Sequence, residues 1–122
     1  MIAFLALGGL LIAQAGATTG TTEATQQIDA AYEQLVGGEA QAAIVRLETA
    51  LADNPGDPAL LINLGSAYAE TGNLERAAEY YQAALSSSDR YRLELANGEW
   101  VDSRTAARRA LQTLEASGFA LR

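Results

Sequence analysis

The chain contains no cysteine and no histidine among its 122 residues. Without cysteine there is no disulfide and no thiolate nucleophile, and without histidine the commonest general base and metal ligand are missing. A Ser-His-Asp arrangement is therefore impossible, although serines stand at Ser66, Ser86, Ser87, Ser88, Ser103 and Ser117. Lysine is absent too, so every cation is an arginine, and there are only two prolines and one tryptophan. Gly37-Gly38 neither follows a strand nor precedes a lysine, which leaves no phosphate loop. Glu75 and Glu79 lie four apart on one helical face, whereas paired-carboxylate chemistry needs two acids across a cleft and an apolar setting to raise one pKa. No clustered aspartate loop is present to hold a metal. The expectation is a chain with no catalytic residues, no metal and no cofactor.

Charge is scarce in one sign and unevenly placed. The formal net charge is −7. Through Asp57 the acids Glu23, Asp29, Glu33, Glu39, Glu48, Asp53 and Asp57 face only Arg46, whereas from Arg90 onward Arg90, Arg92, Arg104, Arg108, Arg109 and Arg122 outnumber Glu94, Glu99, Asp102 and Glu115. Nucleic-acid affinity comes mainly from cations that neutralise phosphate, so the acidic half excludes that class of partner. The length allows one domain with one modest core.

Long hydrophobic runs are also rare, with one exception at the start. Ile2 to Ile12 is uncharged and apolar and leads into Ala13-Gln14-Ala15, a small-x-small pattern. That combination predicts a secretory signal peptide over residues 1–17 and export, in a periplasmic setting. The rival is an uncleaved membrane anchor, but the run is shorter than the roughly 20 apolar residues that span a bilayer. Thr18 to Thr25 is polar and aperiodic and reads as a linker.

What the chain does have is a repeat. Ala43, Leu47, Ala50 and Leu51 return 34 positions later as Ala77, Tyr81, Ala84 and Leu85, and a fixed period of this size marks stacked helical units. From Pro58, Leu60, Leu61, Leu64, Ala67 and Tyr68 follow three- and four-residue steps, the apolar stripe of a helix. Asp57-Pro58 opens that helix as cap and first residue, and Gly72-Asn73 closes it. A second helix runs from about Leu74 to Ser87 with Ala77, Ala78, Tyr81, Ala84 and Leu85 on its apolar side. A short turn makes the two antiparallel neighbours.

Leu61, Leu64, Gly65, Tyr68, Gly72, Ala77, Tyr81 and Ala84 resemble the signature of a tetratricopeptide repeat over Pro58 to about Tyr91. Leu61 stands where that family often has Trp, and Asp89 where it often has Pro. The preceding unit, about residues 24–57, keeps the second-helix pattern in Gly38, Ala43, Leu47, Ala50 and Pro55. In its first helix Gln27, Ala30, Ala31 and Gln34 occupy the places of Leu61, Leu64, Gly65 and Tyr68, while Ile28, Ala31, Tyr32 and Leu35 make the apolar stripe, which points to a rotated or irregular helix.

After the second unit, Tyr91 to Leu95 alternates apolar with charged and Asn97-Gly98 follows, the signal of a hairpin with a type I′ turn over residues 91–101. Trp100 is expected to anchor that hairpin to the helices, with surface recognition as the other reading. Asp102 or Ser103 caps a final helix over about 103–117, ended by Gly118. The fold class is thus mainly α, a short solenoid of antiparallel helix pairs over residues 26–122 with one β-hairpin and a C-terminal capping helix.

The resemblance implies a non-catalytic module whose first helices line a concave groove for a protein or peptide partner. Carried onto this sequence, the lining is Ala59, Ile62, Ser66, Ala69 and Glu70, with Ile28, Tyr32, Leu35 and Val36 from the first unit. An apolar or amphipathic segment is the expected ligand, since relatives that grip a C-terminal carboxylate use Lys and Asn where Ile62 and Ser66 stand here. A homo-oligomeric or membrane-anchored scaffold subunit is the alternative, and small-molecule substrates are not expected.

Overall fold

A computed structural model describes residues 22–95 and 97–117. The expected signal peptide at 1–17 and the glycine expected to end the last helix lie outside them. The order is α1 (Thr22–Val36), α2 (Ala40–Asp53), α3 (Pro58–Glu70), α4 (Leu74–Ser86), β1 (Arg92–Glu94), β2 (Trp100–Asp102) and α5 (Ser103–Ala116). The linker expected over 18–25 is corrected at its end, because Thr22 to Thr25 form the first turn of α1; residues 18–21 lie outside the described residues.

The two helix pairs turn in the same way. Gly38 and Gly72, 34 apart, both take positive φ, 84° and 86°, a conformation that costs glycine nothing for want of a Cβ. The Gly38 and Gly72 amides donate to Leu35 and Ala69 carbonyls, and the next amides, of Glu39 and Asn73, donate to Gln34 and Tyr68 carbonyls. All four partners obey the same spacing. The register of α1 is therefore that of α3, and the expectation of a rotated helix is corrected: Ile28 and Ala31 are buried as Ile62 and Gly65 are. What differs is side-chain chemistry at Gln27 and Gln34.

The second unit is the tighter one. Asp57 Oδ1 accepts from the Ala59 and Leu60 amides at 2.9 and 3.3 Å, with Pro58 at the first position, so the exposed amides at the start of α3 are satisfied. The glycine at 65 is required by distance: a Cβ there would lie 2.7 Å from the Tyr81 ring and 3.1 Å from the Ala77 carbonyl. Asn73 caps α4 through the Arg76 amide, whereas Glu39 makes no side-chain cap on α2. Helix α3 packs against α4, α2, α5 and α1 and is buried along almost its whole length.

The hairpin pairs Leu93 with Val101, both turned into the core, and Glu94 with Trp100, turned out. Among the described residues of the turn Gly98 has positive φ and Asn97 does not, so the type I′ turn expected at Asn97-Gly98 is not formed; Gly98 N–H donates to Leu95 C=O and Leu95 N–H to Glu99 C=O, which closes a wider loop. Strand parity carries Trp100 outward, where it is 38% exposed. It does not anchor the hairpin; Leu93, Leu95 and Val101 do. Asp102 is the cap of α5, accepting from the Arg104 amide at 2.8 Å. Ser103 is fully buried and exchanges two bonds with the Tyr91 backbone instead.

The hairpin is tied back across one repeat length. The Tyr91 hydroxyl donates to Asp57, the carboxylate that caps α3, and burial followed by that contact pushes the tyrosine pKa well up. Arg104 reaches the Ser87 carbonyl at 3.0 Å and holds α5 to the end of α4. Among the described residues no helix is long and apolar enough to cross a membrane.

Candidate functional site

The lining implied by the first helices divides sharply. Ile28, Leu35, Ala59, Ile62, Ser66 and Ala69 are buried, while Tyr32 and Glu70 are half-buried and Val36 is exposed. Ser66 faces α4, where its hydroxyl shares a hydrogen bond with the Tyr81 hydroxyl at 2.8 Å; burial pushes the Tyr81 pKa up. An open groove over Ile62 and Ser66 is thus not what the fold presents. Four helices close around α3, so the helix expected to face a partner serves as the centre of the core. Tyr32 and Glu70 remain at the accessible edge. On α1, burial together with nearby Glu33 raises the Asp29 carboxyl pKa.

A second cluster joins the two units. The rings of Tyr68 and Tyr80 stack at 5.6 Å, and the Arg76 guanidinium lies 5.1 and 5.2 Å from their centroids. The Tyr68 hydroxyl donates to Glu48 of α2 at 2.7 Å, and Arg76 approaches Glu48 at 3.8 Å and Glu79 at 3.5 Å. Every charge in it is matched, which makes this a fastening between units. Glu79 spends its charge there, and Glu75 is solvated.

An open concavity lies elsewhere, between α1 and α2. It encloses about 340 Å³ and is bordered by Ala24, Gln27, Ala42, Val45, Arg46 and Thr49, with Ala50, Asp53 and Asn54 at its far end. Helix α2 turns Ala43, Ile44, Leu47 and Ala50 to the core, which leaves Ala42, Val45 and Thr49 as an uncharged outer stripe with Val45 60% exposed. Arg46 is held beside it by two glutamines, Gln34 Oε1 at 3.0 Å and Gln27 Oε1 at 2.9 Å. The glutamines that depart from the repeat pattern therefore position the one cation of the acidic half. Sequence reasoning missed this site because its attention followed the apolar stripes. The signal was present in Val45, an aliphatic residue on the face of α2 opposite its core positions.

Among the described residues no group of acids stands together to hold a metal ion. Compared with known proteins, residues 37–91 match the tetratricopeptide-repeat family. The match starts at the turn after α1 and stops at Tyr91, where the hairpin replaces the next first helix. No curated protein and no solved structure matches the chain. Tetratricopeptide repeats generally mediate protein–protein interaction and are generally non-catalytic.

Proposed function

We propose, on the premise that this chain belongs to the tetratricopeptide-repeat family through residues 37–91, that it is an exported protein-interaction module of the cell envelope. Its ligand is an apolar or amphipathic protein segment. The observation that carries this reading is the 340 Å³ cleft between α1 and α2, open beside an exposed valine and a positioned guanidinium. An aliphatic wall with one fixed charge suits a segment that presents an apolar side chain next to a polar one. Tyr32 and Glu70 are half-buried and Ile62 and Ser66 buried, and none of the four borders the cleft.

Export is supported by the apolar run Ile2 to Ile12 and its small-x-small end. Mass spectrometry of the protein recovered from an envelope fraction is expected to find a new N-terminus at Gly16 or Thr18; a membrane-bound product that retains Met1 contradicts it. For binding, a photo-crosslinking residue at position 49 is expected to trap a partner protein, and the added substitution Val45→Asp to lose it with melting temperature unchanged. Retention of the partner by Val45→Asp sinks the docking role of the cleft.

A further inference from the structure

The chain has four asparagines, Asn54, Asn63, Asn73 and Asn97, and they differ in whether the side chain can react with its own backbone. Ring closure of an asparagine side-chain carbonyl onto the next backbone nitrogen needs an N–H there and little bulk beside it. Asn54 precedes Pro55, which has no N–H. Asn63 is buried in α3 with its Nδ2 donating to the Ala59 carbonyl at 2.8 Å, and Asn73 caps α4; both are followed by leucine. Asn97 is exposed and is followed by Gly98, which has no side chain, takes φ of 87° and has open space where a Cβ would stand.

Two hydrogen bonds act on this pair in opposite senses. The Glu99 amide donates to Asn97 Oδ1 at 2.9 Å, and a backbone donor so placed stabilises negative charge that develops on a carbonyl oxygen. The Gly98 amide donates to the Leu95 carbonyl at 2.9 Å, and a hydrogen bond made by the protonated form opposes loss of the proton. The electrophile is ready while the nucleophile is capped. The hairpin keeps that cap in place. Leu95 N–H donates to Glu99 C=O at 2.8 Å, Arg109 grips the Glu99 carboxylate at 3.1 and 3.3 Å, and Tyr91, the residue before β1, is tied to Asp57.

We infer that Asn97 is a site of spontaneous deamidation, gated by opening of the hairpin turn. When the bond from Gly98 to Leu95 breaks, hydroxide removes the Gly98 amide proton and the nitrogen bonds to Asn97 Cγ. The Cγ–Nδ2 bond breaks, ammonia leaves with a proton from water, and a cyclic imide remains. Water then adds at either imide carbonyl. Opening on the Cγ side gives aspartate, and opening on the backbone side gives isoaspartate, in which the main chain runs through Cγ. In sum one water is taken up and one ammonia released, with no change of oxidation state. Isoaspartate lengthens the main chain by one carbon inside the loop that Leu95 and Glu99 close, and either product adds a carboxylate beside Glu99. Conversion therefore favours the open turn, and loss of ammonia to solution makes it one-way.

The sequence provides a clean readout. Trypsin cleavage after Arg92 and Arg104 releases Leu93–Arg104, in which Asn97 is the sole side-chain amide, so exchange of amide for carboxyl in the mass of that peptide belongs to this site. The protein as recovered from the producing cell is held in mildly alkaline buffer and sampled over days, with isoaspartate detected by enzymatic methylation. The native wild type is expected to convert about tenfold or more slowly than the same chain in urea, because the reaction draws on the open fraction. Tyr91→Phe, still folded by circular dichroism, is expected to convert about threefold or more faster than the native wild type, because the turn opens more often. Arg109→Gln, on the exposed face of α5, replaces it should that variant fail to fold. Absence of conversion in urea, or conversion without isoaspartate, removes the site. Equal rates in native buffer and in urea, or a folded variant that converts no faster than the wild type, overturn the gating.

Discussion

The first and second units share a register, a turn and a set of backbone bonds, yet they are built with different seams. In the second unit Leu61 is buried, Gly65 lets Tyr81 and Ala77 come close, and Tyr68 stacks on Tyr80. In the first, Gln27 and Gln34 occupy the places of Leu61 and Tyr68 and hold Arg46, and Ala31 stands where the second unit has Gly65. The same backbone path tolerates an apolar seam and a hydrogen-bonded one. The lesson is that the turn, with its paired carbonyls and left-handed glycine, preserves the repeat, while the seam is free to become a core or a site.

The contrast can be broken most severely at Ile62. Ile62→Asp places a charge at a position with no exposure, and an unpaired buried carboxylate costs about 4 kcal/mol or more, close to the whole stability of a small domain. Loss of the cooperative thermal transition is expected, against no measurable change for Val45→Asp on the other side of the stack. Next in size is Gly65→Ala, which gives the second unit the residue of the first. Overpacking against Tyr81 costs about 1–3 kcal/mol, read as a lowered urea midpoint, and an unchanged midpoint would mean the two seams are equally close.

Tyr81→Phe should lose about 1–2 kcal/mol, because the fully buried Ser66 hydroxyl then has no partner. Smallest is Asp102→Asn. Burial raises this carboxyl's pKa, but the Arg90 guanidinium and the Arg104 amide outweigh it and leave the pKa below its ordinary 3.8. A lowered folded-state pKa contributes stability above the unfolded value that is lost as pH falls through the folded one. The small deficit of the variant at neutral pH is therefore expected to close in acid below pH 3.8, in parallel thermal melts.

Features set by neighbours in the chain were legible. Asp57-Pro58 announced α3, Gly72 its end, and Ala43 with Ala77 the paired second helices, because caps, turns and stripes are decided within a few residues. Features set by distant packing were not. Whether Ile62 faces solvent depends on the surrounding helices, including α5 some 40 residues on; Trp100 points outward only once strand parity is fixed by Leu93 and Val101. Ser103 looked like a cap and is a tie to Tyr91, because its partner is brought by the hairpin. The cleft escaped notice for a related reason. Its walls come from two helices whose outer faces no local pattern marks.

The bond from Tyr91 to Asp57 couples two transitions that would otherwise be independent. Fraying at a helix start usually spreads no farther than one turn, but here release of the Asp57 carboxylate also releases Tyr91, the residue before β1, and with it the start of α5 at Ser103. The two sites then open as one cooperative unit. Slow exchange of the Ala59, Leu60 and Ser103 amides is expected to collapse together in Tyr91→Phe, a shared lifetime for protons that lie more than 40 residues apart in the chain.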